Sequence, residues 1–231
     1  MVQAILFDKD GTLFDFAATW EAWAVAFLLR ATQGDCARAT EVGAHIGFDF
    51  TNRRFAPDSI AIAGTPGEVV TALHPHVGAI SRDELLALIN EEAENAPQAE
   101  TVPLPSLLDG LRARGMILGV MTNDGEEIAH AHLDQAGVRD RFDFIAGFDS
   151  GFGAKPSPDP LLAFCHAVKV APKHAVMVGD STHDLIAGRR AGMATVGVLT
   201  GLADTATLAP YADIVLPDIG HLPSWLDTAA S

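Results

Sequence analysis

Near the start of the chain two carboxylates stand two residues apart, in Ile5-Leu6-Phe7-Asp8-Lys9-Asp10-Gly11-Thr12, directly after an apolar run that begins at Val2. An apolar run that stops at an acid and then turns at glycine reads as a buried strand opening into a loop. In open α/β sheets the carboxyl ends of the strands are where ligands bind. Asp-Gly is also a common turn dipeptide, so the pair taken alone reads as a solvated turn as well. Three later stretches add groups in matching positions. Thr122 follows the apolar run 116–121, Lys155 sits in the loop Gly151-Phe152-Gly153-Ala154-Lys155-Pro156, and Asp180 and Asp184 follow the run 175–179.

If a sheet brings these loops together, one site holds four carboxylates, an ammonium and a hydroxyl. Such acids either raise one another's pKa or gather a cation. Oxygen donors suit Mg²⁺, which seldom has an all-protein cage and shares its shell with substrate phosphates. The chemistry this implies is metal-assisted phosphoryl transfer. Each group also has a plainer reading. Thr122 is placed to cap the helix after it, Asp180 and Asp184 suit a helix start for dipole reasons, and a lysine in a Gly-rich loop is ordinarily solvated. The pairs His74/His76 and His130/His132 are spaced i, i+2, which does not share a helix face, so they are not read as metal ligands.

The elements that would position these groups alternate. After the first strand, helical patterns cover residues 17–31, about 35–45, 66–73 and 82–95. The last enters through the capping-box pattern Ser81-Arg82-Asp83-Glu84. Trp20, Trp23, Ala24, Phe27 and Leu28 form one stripe, at the spacing of a packing face. Residues 47–57 read as irregular, and no strand is evident between Asp15 and about Ala99. That stretch is too long for a simple crossover and predicts an inserted all-helical domain. From residue 106 onward helices (106–114, 126–136, 160–170 and one ending at 191) alternate with strands (116–121, near 144–146, 175–179, 194–198, 213–216). The alternation predicts an α/β fold, a parallel sheet covered on both faces. The expected division is an α/β core over 1–14 and 100–231 with a helical cap over 15–99.

A chain of 231 residues, 48% hydrophobic and 19% charged, is long enough for a core plus a smaller insert. Its formal net charge of −15 repels polyanions, which excludes a nucleic-acid partner. It also means that a phosphate substrate needs a local positive site, which a divalent metal and one lysine would supply. Cys36 and Cys165 form no metal-like spacing or disulfide framework. With no leader pattern before the first strand and no run of the ~20 apolar residues needed to span a bilayer, a cytoplasmic location with no membrane partner is expected.

The order Asp8-Lys9-Asp10-Gly11-Thr12, then Thr122, then Lys155-Pro156, then Gly179-Asp180-Ser181-Thr182-His183-Asp184 resembles the four motifs of the haloacid dehalogenase-like hydrolase superfamily. The helical insert after the first motif is similar in position to the cap of its phosphoglycolate phosphatase-like branch. The resemblance implies a Rossmann-like core and a Mg²⁺-dependent phosphatase acting on a small phosphorylated metabolite, as monomer or homodimer. It implies Asp8 as nucleophile, forming an aspartyl-phosphate, and Asp10 as general acid and then base. It implies Mg²⁺ held by Asp8, the backbone carbonyl of Asp10 and Asp180, with Asp184 behind them or orienting the lysine. Gly11, Thr12, Thr122, Asn123 and Lys155 are implied as phosphate contacts. The cap would close over the site, and Arg53 and Arg54 are its candidate groups for a second anion of the substrate. One residue departs from the pattern: the position between the two acids is usually apolar in this family, and here it is Lys9. If the strand pleat persists, Lys9 points away from both acids, toward the cap or surface; if it points inward, it could bind substrate.

Within the superfamily, a dehalogenase has little use for Asp10 or the Asp180/Asp184 pair, because a halide leaves without acid or metal. A phosphonoacetaldehyde-type hydrolase needs a cap lysine, and residues 15–100 contain none. A sugar phosphomutase of the β-phosphoglucomutase type shares both acids and stays open. A non-catalytic phosphate-binding module on the same fold is the alternative from another class.

Overall fold

Four fully buried apolar residues form strand β1 (Ala4–Phe7), and every other part of the sheet is arranged about it. The computed structural model describes residues 1–56, 58–62, 64–78 and 80–229. In chain order β1 is followed by α1 (Phe16–Ala31), α2 (Cys36–Ala44), β2 (Phe48–Asp49), β3 (Arg54–Phe55), α3 (Pro66–Leu73) and α4 (Arg82–Glu94). Then come α5 (Leu104–Ala113), β4 (Ile117–Met121), α6 (Glu126–Gln135), β5 (Phe144–Ala146), α7 (Asp159–Val168), β6 (Ala175–Gly179), α8 (Thr182–Ala191), β7 (Ala194–Val198), α9 (Thr205–Leu208), β8 (Ile214–Leu216) and α10 (Leu222–Ala229).

The chain forms two compact units, residues 1–16 with 98–231, and residues 17–97. In the first, six parallel strands run in the order β5-β4-β1-β6-β7-β8. Alternate residues of β1 feed two cores, as a strand's two-residue period requires. Ile5 and Phe7 join a cluster with Leu104, Leu108 and Leu111 of α5 and Leu222 and Leu226 of α10. Ala4 and Leu6 join another with Leu161 and Phe164 of α7 and Ala187 of α8. A sheet buried on both faces explains why its strands read as unbroken apolar runs. The close approach of α7 depends on Gly119, where a Cβ would lie 2.6 Å from the Phe164 ring.

The order places β4 and β6 on either side of β1, in register Phe7↔Val120 and Phe7↔Val178. The chain leaves β1 and returns on both sides of it, so the residues after β1, β4 and β6 emerge side by side in the crevice at the sheet's carboxyl end.

In the second unit the aromatic stripe of α1 is core. Trp23, Ala24, Phe27 and Leu28 are buried, the Trp23 and Phe27 rings stack at 5.2 Å, and the Trp23 indole N–H donates to the Ile89 carbonyl at 3.1 Å. Ser81 and Glu84 form the reciprocal cap expected of their spacing, Ser81 N to Glu84 Oε2 at 2.9 Å and Glu84 N to Ser81 Oγ at 3.2 Å. The unit is not wholly helical, because β2 and β3 pair as an antiparallel hairpin, Phe48 opposite Phe55. Strands of two residues carry no alternation for a sequence reading to detect, so this stretch looks irregular. Pro57, at its end, lies outside the described residues. Among the described residues no helix is long and apolar enough to cross a membrane.

Candidate active site

Asp8 is the first residue beyond β1, its amide still bonded to the Val178 carbonyl at 2.8 Å, so its backbone is fixed by the sheet. The chain then turns sharply. The amides of Leu13 and Phe14 both donate to the Lys9 carbonyl, at 2.9 and 3.1 Å, and Gly11 takes the left-handed conformation (φ 74°) that this turn requires. Thr122 leaves β4 with its amide on the Ala146 carbonyl, and its hydroxyl accepts from the Asp124 amide at 3.1 Å. Asp180 leaves β6, and Asp184 lies in the first turn of α8.

These loops converge on one ammonium. Lys155 Nζ is 2.7 Å from Asp8 Oδ1, 2.7 Å from Asp184 Oδ1 and 2.8 Å from the Met121 carbonyl oxygen, and the side chain is buried. The backbone of Lys155 is clamped by Asn123, whose Nδ2 donates to the Lys155 carbonyl and whose Oδ1 accepts from the Lys155 amide, both at 2.9 Å. The Lys155-Pro156 peptide is cis. The other oxygen of Asp184 accepts from the amide and hydroxyl of Ser181 at 3.0 and 2.7 Å, which closes the N-terminus of α8 and fixes the carboxylate at once.

Asp8, Asp180 and Asp184 each offer a carboxylate oxygen, and these atoms lie within 4.8 Å of one another. Burial, and then the charge of Asp184, push the Asp8 carboxyl up to about 7, with Lys155 partly opposing. Burial, Asp8 and Asp184 hold Asp180 well above the usual carboxylate range. Burial disfavours the charged form of Lys155, but Asp184 and Asp8 outweigh it and raise its pKa. Three buried acids facing one lysine leave an excess of negative charge, and the donors are all hard oxygens, so the set fits a divalent cation such as Mg²⁺. The Asp180 carboxylate has no room to spare, since a Cβ on Gly201 would lie 1.7 Å from its Oδ2 and one on Gly11 2.4 Å.

The remaining expected residues fall into three groups. Gly11 and Thr12, anticipated as phosphate contacts, make bonds within their own loop and to Thr101. The Gly11 amide donates to the Phe14 carbonyl at 2.7 Å, and Thr12 is fully buried, with its hydroxyl unpartnered and its carbonyl accepting from Thr101 at 2.7 Å. The Asn123 side chain serves Lys155, as described. Arg53 and Arg54 lie in the second unit on the β2–β3 hairpin, both exposed, Arg53 with φ 53°.

Lys9 corrects both expectations for it. The pleat ends with β1 at Phe7, the chain turns, and Lys9 is fully buried rather than at the surface or open to substrate. Its Nζ lies 2.8 and 2.7 Å from the two Asp10 oxygens, 2.9 Å from His132 Nδ1 and 3.4 Å from Asp124 Oδ2. Burial opposes its charge, but Asp10 and Asp124 outweigh this and raise its pKa. Burial likewise pushes Asp124 up to about 6 against the pull of Lys9. Sequence reasoning missed Asp124 and His132. The signal for His132 was its place on the apolar face of α6, in phase with Ile128, Ala129 and Leu133. His130, two residues away, instead meets Glu126 at 3.6 Å.

A curated relative from Xanthomonas campestris pv. campestris (strain 8004), named phosphoglycolate phosphatase, is 30% identical over 231 residues, covering 96% of this chain and 97% of its own length. A second relative of that name, from Chromobacterium violaceum, is 39% identical over 125 residues, and the match spans 53% of this chain and 55% of that protein. The crystal structure of CbbY from Rhodobacter sphaeroides in complex with phosphate shares the fold, with TM-score 0.70, 23% identity and 96% of each chain covered. The profile of haloacid dehalogenase-like hydrolases matches residues 2–192, which include every acid, the lysine and the threonine of the cluster, and the chain belongs to that hydrolase family.

Proposed function

We propose that the protein is a Mg²⁺-dependent phosphatase that hydrolyses a small phosphate monoester, with phosphoglycolate the leading substrate, through an aspartyl-phosphate on Asp8. The observation that carries this reading is the Lys155 ammonium 2.7 Å from the Asp8 carboxylate, at the sheet crevice, with Asp180 and Asp184 in reach. The names of the relatives support the substrate.

In the first step an Asp8 oxygen attacks phosphorus, the bond to the ester oxygen breaks, and Asp10 gives that oxygen a proton. In the second, water attacks phosphorus, its proton goes to Asp10, and the Asp8 carboxylate leaves. Lys155 holds the attacking carboxylate and offsets charge on the phosphoryl oxygens, and the Thr122 hydroxyl helps to orient them. Asp8, the Asp10 carbonyl and Asp180 would hold Mg²⁺, with Asp184 steadying Lys155. The bound cation supplies the positive charge that three clustered acids and a phosphate dianion otherwise lack. A net charge of −15 makes that local charge a requirement for binding any phosphate at all.

The test is phosphate release from a panel of small monoesters, with and without Mg²⁺, for the wild type and Asp8→Asn. Metal-dependent turnover abolished by the substitution is the expected result. Conversion of a sugar phosphate to its isomer without phosphate release would mean a mutase, and no change to any ester would mean a binding module.

A further inference from the structure

A fully buried ammonium at a position the family usually fills with an apolar side chain calls for a purpose, because burying a charge is costly unless its partners are well placed. Lys9 has three N–H donors, and its partners include Asp10, through both oxygens, Asp124 and His132, each on a different stretch of chain. Two of the partners are themselves fixed. Asp124 Oδ1 accepts from the Gly125 amide at 2.9 Å and the Asp124 amide is tied to Thr122, while His132 sits on the buried face of α6. The third, Asp10, is on the turn after β1 and is more exposed than Asp124, at 11% of its side chain against 6%.

We propose that Lys9 is a positioning residue for Asp10, anchored by His132 and Asp124 and gripping both Asp10 oxygens, so that the carboxyl faces the leaving oxygen. The proposal rests on the phosphatase reading, in which Asp10 carries the proton. A carboxylate oxygen has two lone pairs, so the contact to Lys9 leaves one on each oxygen for the transferred proton. The proton goes from Asp10 to the ester oxygen as the P–O bond breaks and returns to Asp10 from water in the second step. Lys9 itself gains and loses none.

This role predicts a dependence on the leaving group that simple structural damage does not. An alkoxide needs the proton from Asp10, whereas p-nitrophenolate leaves without it. The parameter kcat/KM reports only the steps through departure of the leaving group, so it isolates that proton.

The experiment compares kcat/KM for p-nitrophenyl phosphate with that for 2-phosphoglycolate or glycerol 3-phosphate, whichever the wild type turns over faster. The variants are Lys9→Met, Lys9→Met with Asp124→Asn, which removes the stranded buried carboxylate, and His132→Leu, which puts an apolar side chain on an apolar helix face. Lys9→Met, alone or with Asp124→Asn, is expected to lower kcat/KM for the alkyl ester about 10²-fold, the scale of general acid catalysis, and for the nitrophenyl ester by at least tenfold less. His132→Leu is expected to show the same selectivity with an alkyl-ester loss of about tenfold, as one anchor of two is lost. Equal falls on both esters in the folded variants would overturn the positioning role and leave the phosphatase reading standing. Wild-type protein without Asp8-dependent turnover of any ester would overturn that reading, and this inference with it.

Discussion

The Lys155 ammonium stands 2.7 Å from Oδ1 of Asp8, although 147 residues separate them in the chain. It is the one cation in direct contact with Asp8 and Asp184 among the described residues. Replacing it with methionine strands buried carboxylates, a change that costs about 3–5 kcal/mol when one partner of a buried pair is removed. Lys155→Met is therefore expected to lower stability by about that much in EDTA and by clearly less in millimolar Mg²⁺, with phosphatase turnover lost in both. Urea unfolding with and without metal checks this, and an equal loss in the two conditions would show that no cation shares the site.

The buried acids make a prediction about pH. The Asp8 pKa rises from 3.8 to about 7 in the folded protein, and Asp180 shifts in the same direction. Between those values the folded state holds protons that the unfolded chain has released, so stability falls as pH rises. The contribution is complete below about pH 4 and gone above the folded pKa. For metal-free protein, unfolding free energy from these groups should decline by a few kcal/mol, as an order of magnitude, from pH 5 to pH 8. The rise in Tm on adding Mg²⁺ should be larger at pH 8 than at pH 5. A rise of the same size at both values would contradict the shifts.

Gly201 tests the cradle around Asp180. A Cβ there would sit 1.7 Å from Asp180 Oδ2, so Gly201→Ala must displace that carboxylate. The expected outcome is a Mg²⁺ requirement raised by about 10-fold or more, with destabilisation of about 1–3 kcal/mol. Titration of activity against Mg²⁺ measures it; an unchanged half-saturation would mean that Asp180 does not hold the metal.

Asn123 grips the Lys155 backbone through two hydrogen bonds of 2.9 Å, one in each direction. Removing them in Asn123→Ala loosens the lysine without removing its charge. We expect kcat to fall about 10- to 100-fold, since misplacement of a charged group by about 1 Å has effects on that scale, with KM changing far less. A variant that raises KM at constant kcat would instead place Asn123 on the substrate.

The sheet and its site were largely legible because a doubly covered parallel sheet writes itself as apolar runs, and an acid or threonine at the end of such a run marks the crevice. β6 and Asp180 illustrate this, a run of 175–179 broken by a carboxylate. What could not be read was direction. Whether Lys9 faced out or in depended on where the pleat stopped, and the hydrogen bonds of Leu13 and Phe14 to its carbonyl, which decide the matter, are invisible in residue types. The i, i+2 spacing of His130 and His132 says nothing of the apolar face of α6 that His132 shares with Leu133. The structural demands on Gly11, a positive φ and room for Asp180, are likewise not readable from its place in the motif.

The central position of β1 has a consequence for the chain as it is made. Its two neighbours are β4 and β6, Ala4 pairing with Ile117 and with Ala175, so this strand is flanked only by strands synthesised well after it. At ribosomal rates of about 5–20 residues per second, the apolar run 4–7 waits on the order of ten seconds or more for its second partner. Until those partners emerge, the run 4–7 is an unpaired apolar segment of the kind that invites aggregation or chaperone binding. The order of synthesis also releases Lys155 before Asp180 and Asp184, so the later acids emerge into a chain that already carries their counter-charge.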